Sequence, residues 1–161
     1  MIEGIQLRKA VESDLELLLE WENEAGHWRF GNRTEPYHRD DLMAYLTAEH
    51  SLSKDGQERW IICSAEEENE KGVLDLFDLN DSDGTVQIGI LIHETSDRRK
   101  GNGIKALEAI KSLLVEQTKV KAIHAWVQID NVASQGLFRK ASYVYRRKNE
   151  RGDLLFTLEL I

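Results

Sequence analysis

Along the chain, apolar positions recur first every second residue and then every third or fourth, and the changes of period mark the elements. Ile5 and Leu7 alternate with Gln6 and Arg8 in an opening strand from Ile2 to Lys9. Ser13-Asp-Leu-Glu16 reads as a capping box, and Leu15, Leu18, Leu19 and Glu22 mark a first helix ending near Gly26. Gly26 to Thr34 is aromatic, basic and unpatterned, the composition of a loop that folds over something. Pro36 precedes a second helical pattern through Leu42, Tyr45 and Leu46, which fades by Ser51 to Gly56. Glu58 to Ser64 and Val73 to Leu79 are strands on either side of a charged turn, Glu66 to Gly72, and Asn80 to Gly84 is a second turn.

The next stretch organises the rest. Val86, Ile88, Ile90 and Ile92 alternate with Gln87, Gly89 and Leu91 in a strand from Thr85 to His93. Beyond a basic, glycine-bearing loop the period changes, and Ile104, Leu107, Ile110 and Leu114 predict an amphipathic helix to about Gln117. Val120 to Ile129 is a strand with Ile123, Ala125, Val127 and Ile129 on one face and His124, Trp126 and Gln128 on the other. Asn131 is suited to cap a short helix, and Tyr143 to Arg147 and Leu154 to Leu160 close the chain as a hairpin about Asn149 to Gly152. The order is strand, two helices, three strands, helix, strand, helix, two strands, with no repeat or linker, as expected of a single domain over residues 1–161.

Composition changes this picture little: 41% apolar and 31% charged residues in 161 are those of an ordinary globular protein. No apolar run reaches the length of a membrane span and the N-terminus lacks a signal-peptide pattern, so no membrane partner and a cytoplasmic location are expected. Cys63, the only cysteine, sits in an apolar run and reads as a small core residue. The net charge of −8 argues against a nucleic-acid partner. It is compatible with a cationic substrate, and the plainer reading is solubility.

Against that acidity stand Arg98, Arg99 and Lys100, followed by Gly101, Asn102 and Gly103 at the start of the long helix. A helix N-terminus offers unpaired N–H groups and the positive end of the dipole, and the glycines let backbone approach an anion. A phosphate or pyrophosphate is the natural occupant. A P-loop is excluded because no earlier glycine stands at the required spacing. Gly101-x-Gly103-x-x-Ala106 fits the alanine form of the dinucleotide fingerprint, but no acidic residue ends a strand about twenty residues on.

The run Arg98-Arg99-Lys100-Gly101-Asn102-Gly103 resembles the pyrophosphate loop Gln/Arg-x-x-Gly-x-Gly/Ala of the GCN5-related N-acetyltransferases, in the same strand-loop-helix context. Downstream, Asn131-Val-Ala-Ser134-Gln-Gly-Leu-Phe138-Arg-Lys140-Ala-Ser-Tyr143 is similar to that family's Asn-x-x-Ala/Ser-x-x-Leu-Tyr-x-Lys-x-Gly-Phe. Phe138 stands where the family often has a thiolate-protonating tyrosine, and Ser142 where a glycine is usual. The resemblance implies an α/β (α+β) acyl-CoA N-acyltransferase fold: a mixed, mostly antiparallel sheet with splayed central strands and four helices. The wording from Gly72 to Ile92 looks most like the branch of ribosomal-protein and polyamine acetyltransferases, in which the Gln87 position is commonly glutamate.

The resemblance further implies direct transfer of an acetyl group from acetyl-CoA to a primary amine, on a small molecule or a protein N-terminus. No metal is implied, and a homodimer is compatible with the family. The pyrophosphate would sit on the backbone of Arg99 to Ile104, including Gly101, Asn102 and Gly103, with Arg98 and Lys100 screening its charge. Leu91, Ile92 and His93 would pair with the pantetheine amides, a backbone N–H near Leu91 would polarise the thioester carbonyl, and Asn131 and Phe138 would border the cofactor arm. An ammonium must lose a proton before attack; Glu24, Asp78 and His124 are candidate acceptors, and Ser134 or water could protonate the thiolate. Glu24, Trp28, Phe30, Gln87 and Trp126 fall on the acceptor side. Several have plainer readings. His124 and Trp126 also suit a core or cleft wall, Trp28 and Phe30 a packed lid, Asn131 a helix cap, and His93 a strand-end surface position. An acyl-CoA-binding module without turnover is the other function class, suggested by Phe138 and Gln87.

Overall fold

The computed structural model describes residues 4–23, 38–65, 69–93 and 101–160. These form two compact units, one of residues 1–9 and 51–161 and the other of residues 10–50. The larger unit is built on a seven-stranded sheet. Its strands are β1 (Ile5–Lys9), β2 (Glu58–Ser64), β3 (Asn69–Asn80), β4 (Thr85–Ile92), β5 (Ala122–Val127), β6 (Val144–Lys148) and β7 (Leu154–Glu159), in the spatial order β1-β2-β3-β4-β5-β7-β6. Only β4 and β5 pair in parallel; the other neighbours are antiparallel.

That one parallel junction requires a crossover, and the chain between the two strands supplies it with α4 (Asn102–Gln117). The alternation read in the sequence is the alternation of burial. Val86, Ile88 and Ile92 of β4 and Ile123, Ala125 and Val127 of β5 are buried together with Leu107, Ile110 and Leu114 of α4 and Phe138 of α5 (Val132–Lys140). Each of these valines, leucines and isoleucines, and Phe138, contributes about 1.5–3 kcal/mol by leaving water, so this layer holds the sheet to its helices.

Within the smaller unit, α1 (Leu15–Asn23) follows a 3-10 turn over Glu12–Asp14, and α2 is Arg39–Thr47. The cap of the first helix is not the predicted one. Asp14, not Ser13, closes it: the Asp14 carboxylate accepts from the Val11 backbone N–H at 2.8 Å, and the 3-10 turn moves the start of the helical segment upstream. Glu16 forms an ion pair with Arg39 on α2 instead of reaching back to a cap.

A second difference is the helix count. Among the described residues there are five α-helices rather than four, the extra one being α3 (Leu52–Asp55). A single turn is too short to show a helical hydrophobic period. Its caps were nonetheless in the sequence: Ser51 Oγ accepts from the Lys54 N–H at 3.1 Å, Asp55 Oδ1 accepts from the Ser51 N–H at 3.1 Å, and Gly56 ends the turn at φ 73°. β3 also starts earlier than predicted, at Asn69, because its ladder with β2 runs on to the pair Ser64 and Asn69.

Ser142 adopts φ 75°, in the left-handed region where a side chain costs roughly 1–2 kcal/mol. This explains why glycine is the usual residue at that position in the resembling motif. Ser142→Gly is expected to raise stability by about 0.5–1 kcal/mol after the added chain entropy of glycine is set against the relieved strain. The check is a shift of the denaturant midpoint with unchanged slope.

Candidate active site

The end of β4, the first turn of α4 and the middle of α5 meet at one point. A Cβ at Gly103 would stand 3.0 and 3.1 Å from the two Leu137 methyl carbons and 3.6 Å from Cγ1 of Ile92. Gly103 is therefore a packing glycine, letting α5 and β4 close against α4. Gly101 differs. It holds φ 78° at the N-cap of α4, its carbonyl accepts from the Lys105 N–H at 3.1 Å, and a Cβ there would meet nothing within 4 Å among the described residues. Asn102 and Gly103 are buried and Ile104 half-buried, so the backbone N–H groups of this first turn form the anion-attracting end of a 16-residue helix. Arg98, Arg99 and Lys100, the cationic part of the predicted loop, lie outside the described residues.

Beside this helix end the sheet opens. The β4–β5 ladder has three residue pairs, Thr85 with Ala122, Val86 with Ile123 and Gln87 with His124, yet β4 continues to Ile92 and β5 to Val127. The central strands are thus splayed, as expected. The His93 N–H donates to the Lys71 carbonyl at 2.9 Å, and the Leu91 carbonyl lies against Gly72 of β3, where a Cβ would come within 2.2 Å of it. A trans peptide sets successive C=O and N–H groups on opposite sides. Ile92 therefore turns both its backbone groups toward the β5 side, whereas those of Leu91 and His93 face β3. Of the three predicted pantetheine-pairing residues, Ile92 is the one aimed at the opening, and the N–H expected near Leu91 belongs to it.

One row of register partners crosses five strands where the opening begins: Phe77 on β3, Gln87 on β4, His124 on β5, Thr157 on β7 and Val144 on β6. Partners share a face, so this row lies on the side of the sheet opposite Ile123 and Ala125. His124 Nδ1 and Thr157 Oγ1 are 2.8 Å apart. Partial burial, the largest influence, lowers the His124 pKa below its ordinary 6.5; Glu159 and Asp83 oppose this, while Arg146 and Arg147 reinforce it. Two residues along β5, half-buried Trp126 carries the Arg147 guanidinium 5.0 Å over its ring.

Around α5, Asn131 is the predicted cap. Its Oδ1 accepts from the Ser134 N–H at 3.2 Å, and its Nδ2 donors have no partner among the described residues. Ser134 is half-buried in the first turn. Phe138 is 3% exposed and meets the Tyr143 ring edge-on at 5.0 Å. The Tyr143 hydroxyl is buried without a hydrogen-bond partner among the described residues, and burial pushes its pKa well above the ordinary tyrosine value. Tyr143→Phe is accordingly expected to stabilise the fold by about 1 kcal/mol, since it deletes an unsatisfied buried donor. A higher denaturant midpoint is the readout.

Asp78 does not join the row. It lies exposed at φ 51° in the irregularity of β3 between the pairs Phe77–Gln87 and Asn80–Thr85. Glu24, Trp28 and Phe30 lie outside the described residues. Among those described, no three His, Cys, Asp or Glu side chains gather as a metal would need. Reading the sequence missed Thr157, Gly72 and Arg147. Thr157 shows only as a polar residue in an apolar strand, and its meaning depends on register.

The model of a family described as an acetyltransferase (GNAT) domain matches residues 5–144. No curated protein matches the chain in sequence. Among solved structures, a domain from Methanocaldococcus jannaschii superposes with a TM-score of 0.82 at 23% identity, covering 97% of this chain and 98% of that one. The spermidine N-acetyltransferase of Vibrio cholerae, in complex with CoA and spermine, gives 0.79 at 16% identity over 98% and 96%. An aminoglycoside acetyltransferase in complex with coenzyme A gives 0.79 at 20% identity over 97% and 95%.

Proposed function

Because this chain belongs to the GNAT acetyltransferase family, whose acyl donor is acetyl-CoA, we propose that it moves the acetyl group to a primary amine, on a small molecule or a peptide N-terminus. The observation that carries this reading is the opening of β4 from β5 beside the glycine-bearing N-terminus of α4. The residues present fit the cofactor. The first turn of α4 from Gly101 to Ile104, with Arg98, Arg99 and Lys100 before it, suits a pyrophosphate. Ile92 suits an extended amide-bearing arm, and the Nδ2 of Asn131 suits its carbonyls. When bound, acetyl-CoA supplies the activated acyl group.

The chain's own residues do the rest. The splayed strands hold the reacting end away from bulk water, and the Ile92 backbone N–H at the end of β4 stabilises charge on the carbonyl oxygen. Of Asp78, His124 and Ser134, His124 is the one that stands in the row at the start of the opening, opposite Gln87. In this reading Trp126 with Arg147 continues that wall on the acceptor side. The ligands of two fold neighbours, spermine in one and an aminoglycoside substrate class in the name of the other, favour a small-molecule amine.

Calorimetric titration of acetyl-CoA tests the donor, followed by thiol release with spermidine, an aminoglycoside and a short peptide. Saturable binding and release with one acceptor are expected; a protein that does not bind acetyl-CoA overturns the proposal. The absence of a hydroxyl at Phe138 and of a carboxylate at Gln87 favours a second reading, an acyl-CoA-binding module. Phe138→Tyr separates the two: a large gain in thiol release identifies an enzyme, and acetyl-CoA binding without release in either form identifies the module.

A further inference from the structure

The geometry points to Thr157 as a positioning residue that holds His124 in the tautomer protonated on Nε2, so that the imidazole meets the opening as a hydrogen-bond donor and not as a base. The inference rests on the reaction proposed above but not on the acceptor. Thr157 and His124 are direct register partners on β7 and β5, and Thr157 Oγ1 is 2.8 Å from His124 Nδ1. Thr157 is only 4% exposed, and Nδ1 is the partner of its hydroxyl among the described residues.

A buried hydroxyl must place its hydrogen on an acceptor. If Nδ1 carried a proton it would itself be a donor, and the Thr157 hydrogen would be left unmade in a buried site. If Oγ1–H donates to Nδ1, both groups are satisfied, and the ring hydrogen is on Nε2. The neutral form this requires is the one that burial favours. The charges that face the ring from neighbouring elements are of both signs: Glu159 on β7 and Asp83 before β4 against Arg146 and Arg147 on β6.

Nδ1 faces β7, so Nε2, on the other edge of the ring, faces away from β7 toward the side on which β4 carries Gln87. A neutral imidazole of this kind has its one lone pair already engaged. It cannot take the proton of an attacking amine, but it can donate to the negative charge that develops during acyl transfer, where a fixed donor is most effective. This assigns a role to a residue whose strand position alone left it as either wall or base.

The test is the side-chain proton–nitrogen correlation spectrum of the nitrogen-15-labelled protein near neutral pH, with His124 identified by the signals lost in His124→Gln. Nδ1 is expected at the shift of an unprotonated ring nitrogen and Nε2 at that of a protonated one. Thr157→Val is expected to lose this pattern and Thr157→Ser to restore it, which a merely space-filling threonine would not do. An Nδ1-protonated or cationic His124 in the native protein overturns the inference, as does an unchanged pattern in Thr157→Val. The native spectrum is decisive even where the valine variant does not fold. Because the spectrum needs neither acetyl-CoA nor acceptor, its failure is separate from a failure of acetyl-CoA binding by calorimetry.

Discussion

Gly72→Ala is expected to cost on the order of 3 kcal/mol of stability and to weaken acetyl-CoA binding about tenfold or more, although residue 72 touches no reacting group. The reason is one distance. An ideal Cβ at Gly72 would lie 2.2 Å from the Leu91 carbonyl oxygen and 3.1 Å from the Ile92 Cα, and both are backbone atoms that no rotamer change can move aside. The strand must give way. On its other side Gly72 of β3 pairs with Ile62 of β2, next to an irregularity in that ladder, and the end of β4 has no β5 partner, so displacement falls in part on the end of β4. Ile92 would then be misaimed at the opening. Thermal unfolding should show a fall of roughly 10 °C for a chain of this length, and calorimetry on the folded fraction should show the loss of affinity. A variant with native stability and native affinity would mean that the end of β4 does not set the site.

Gly101 and Gly103 should separate cleanly when changed one at a time. Gly103→Val places methyl groups where the Leu137 side chain already stands at about 3 Å from the Cβ position, so Leu137 must turn out of its packing or α5 must move off α4. A stability loss of about 3 kcal/mol is expected, with weakened binding as its consequence. Gly101→Ala puts a Cβ where none of the described residues stands within 4 Å, at the cost of left-handed strain of roughly 1 kcal/mol. Its larger effect should be on acetyl-CoA, because the methyl group occupies the approach that an anion at the α4 N-terminus would use. Denaturant titration beside calorimetry resolves the two. Equal losses of affinity per kcal/mol of stability in both variants would remove any direct role for Gly101.

The differing duties of these glycines mark the limit of sequence reading. Both fit one spacing pattern, and that pattern led to the helix N-terminus and to the family. It did not distinguish a glycine needed for φ 78° from one needed for the approach of Leu137, because the second reason lies 34 residues away in the chain and exists only once α4 and α5 have packed. The same holds for α3, where one helical turn carries caps but no period, and for the first helix, where Asp14 outcompetes Ser13 for the cap.

What the amino-acid order dictated was local: the alternation of Val86 to Ile92, the three-and-four spacing of Ile104 to Leu114, the Asn131 cap and the charge of the loop before Gly101. These follow from side-chain period, capping chemistry and Coulomb attraction between near neighbours, all of which act over a few residues. The opening of β4 from β5, the row from Gln87 through His124 to Thr157, and the seat of the Leu91 carbonyl over Gly72 were decided by tertiary structure. Register sets them, and register is a property of pairs of strands: a slip of one residue would turn Thr157 away from His124 while leaving the hydrophobic pattern of β5 unchanged.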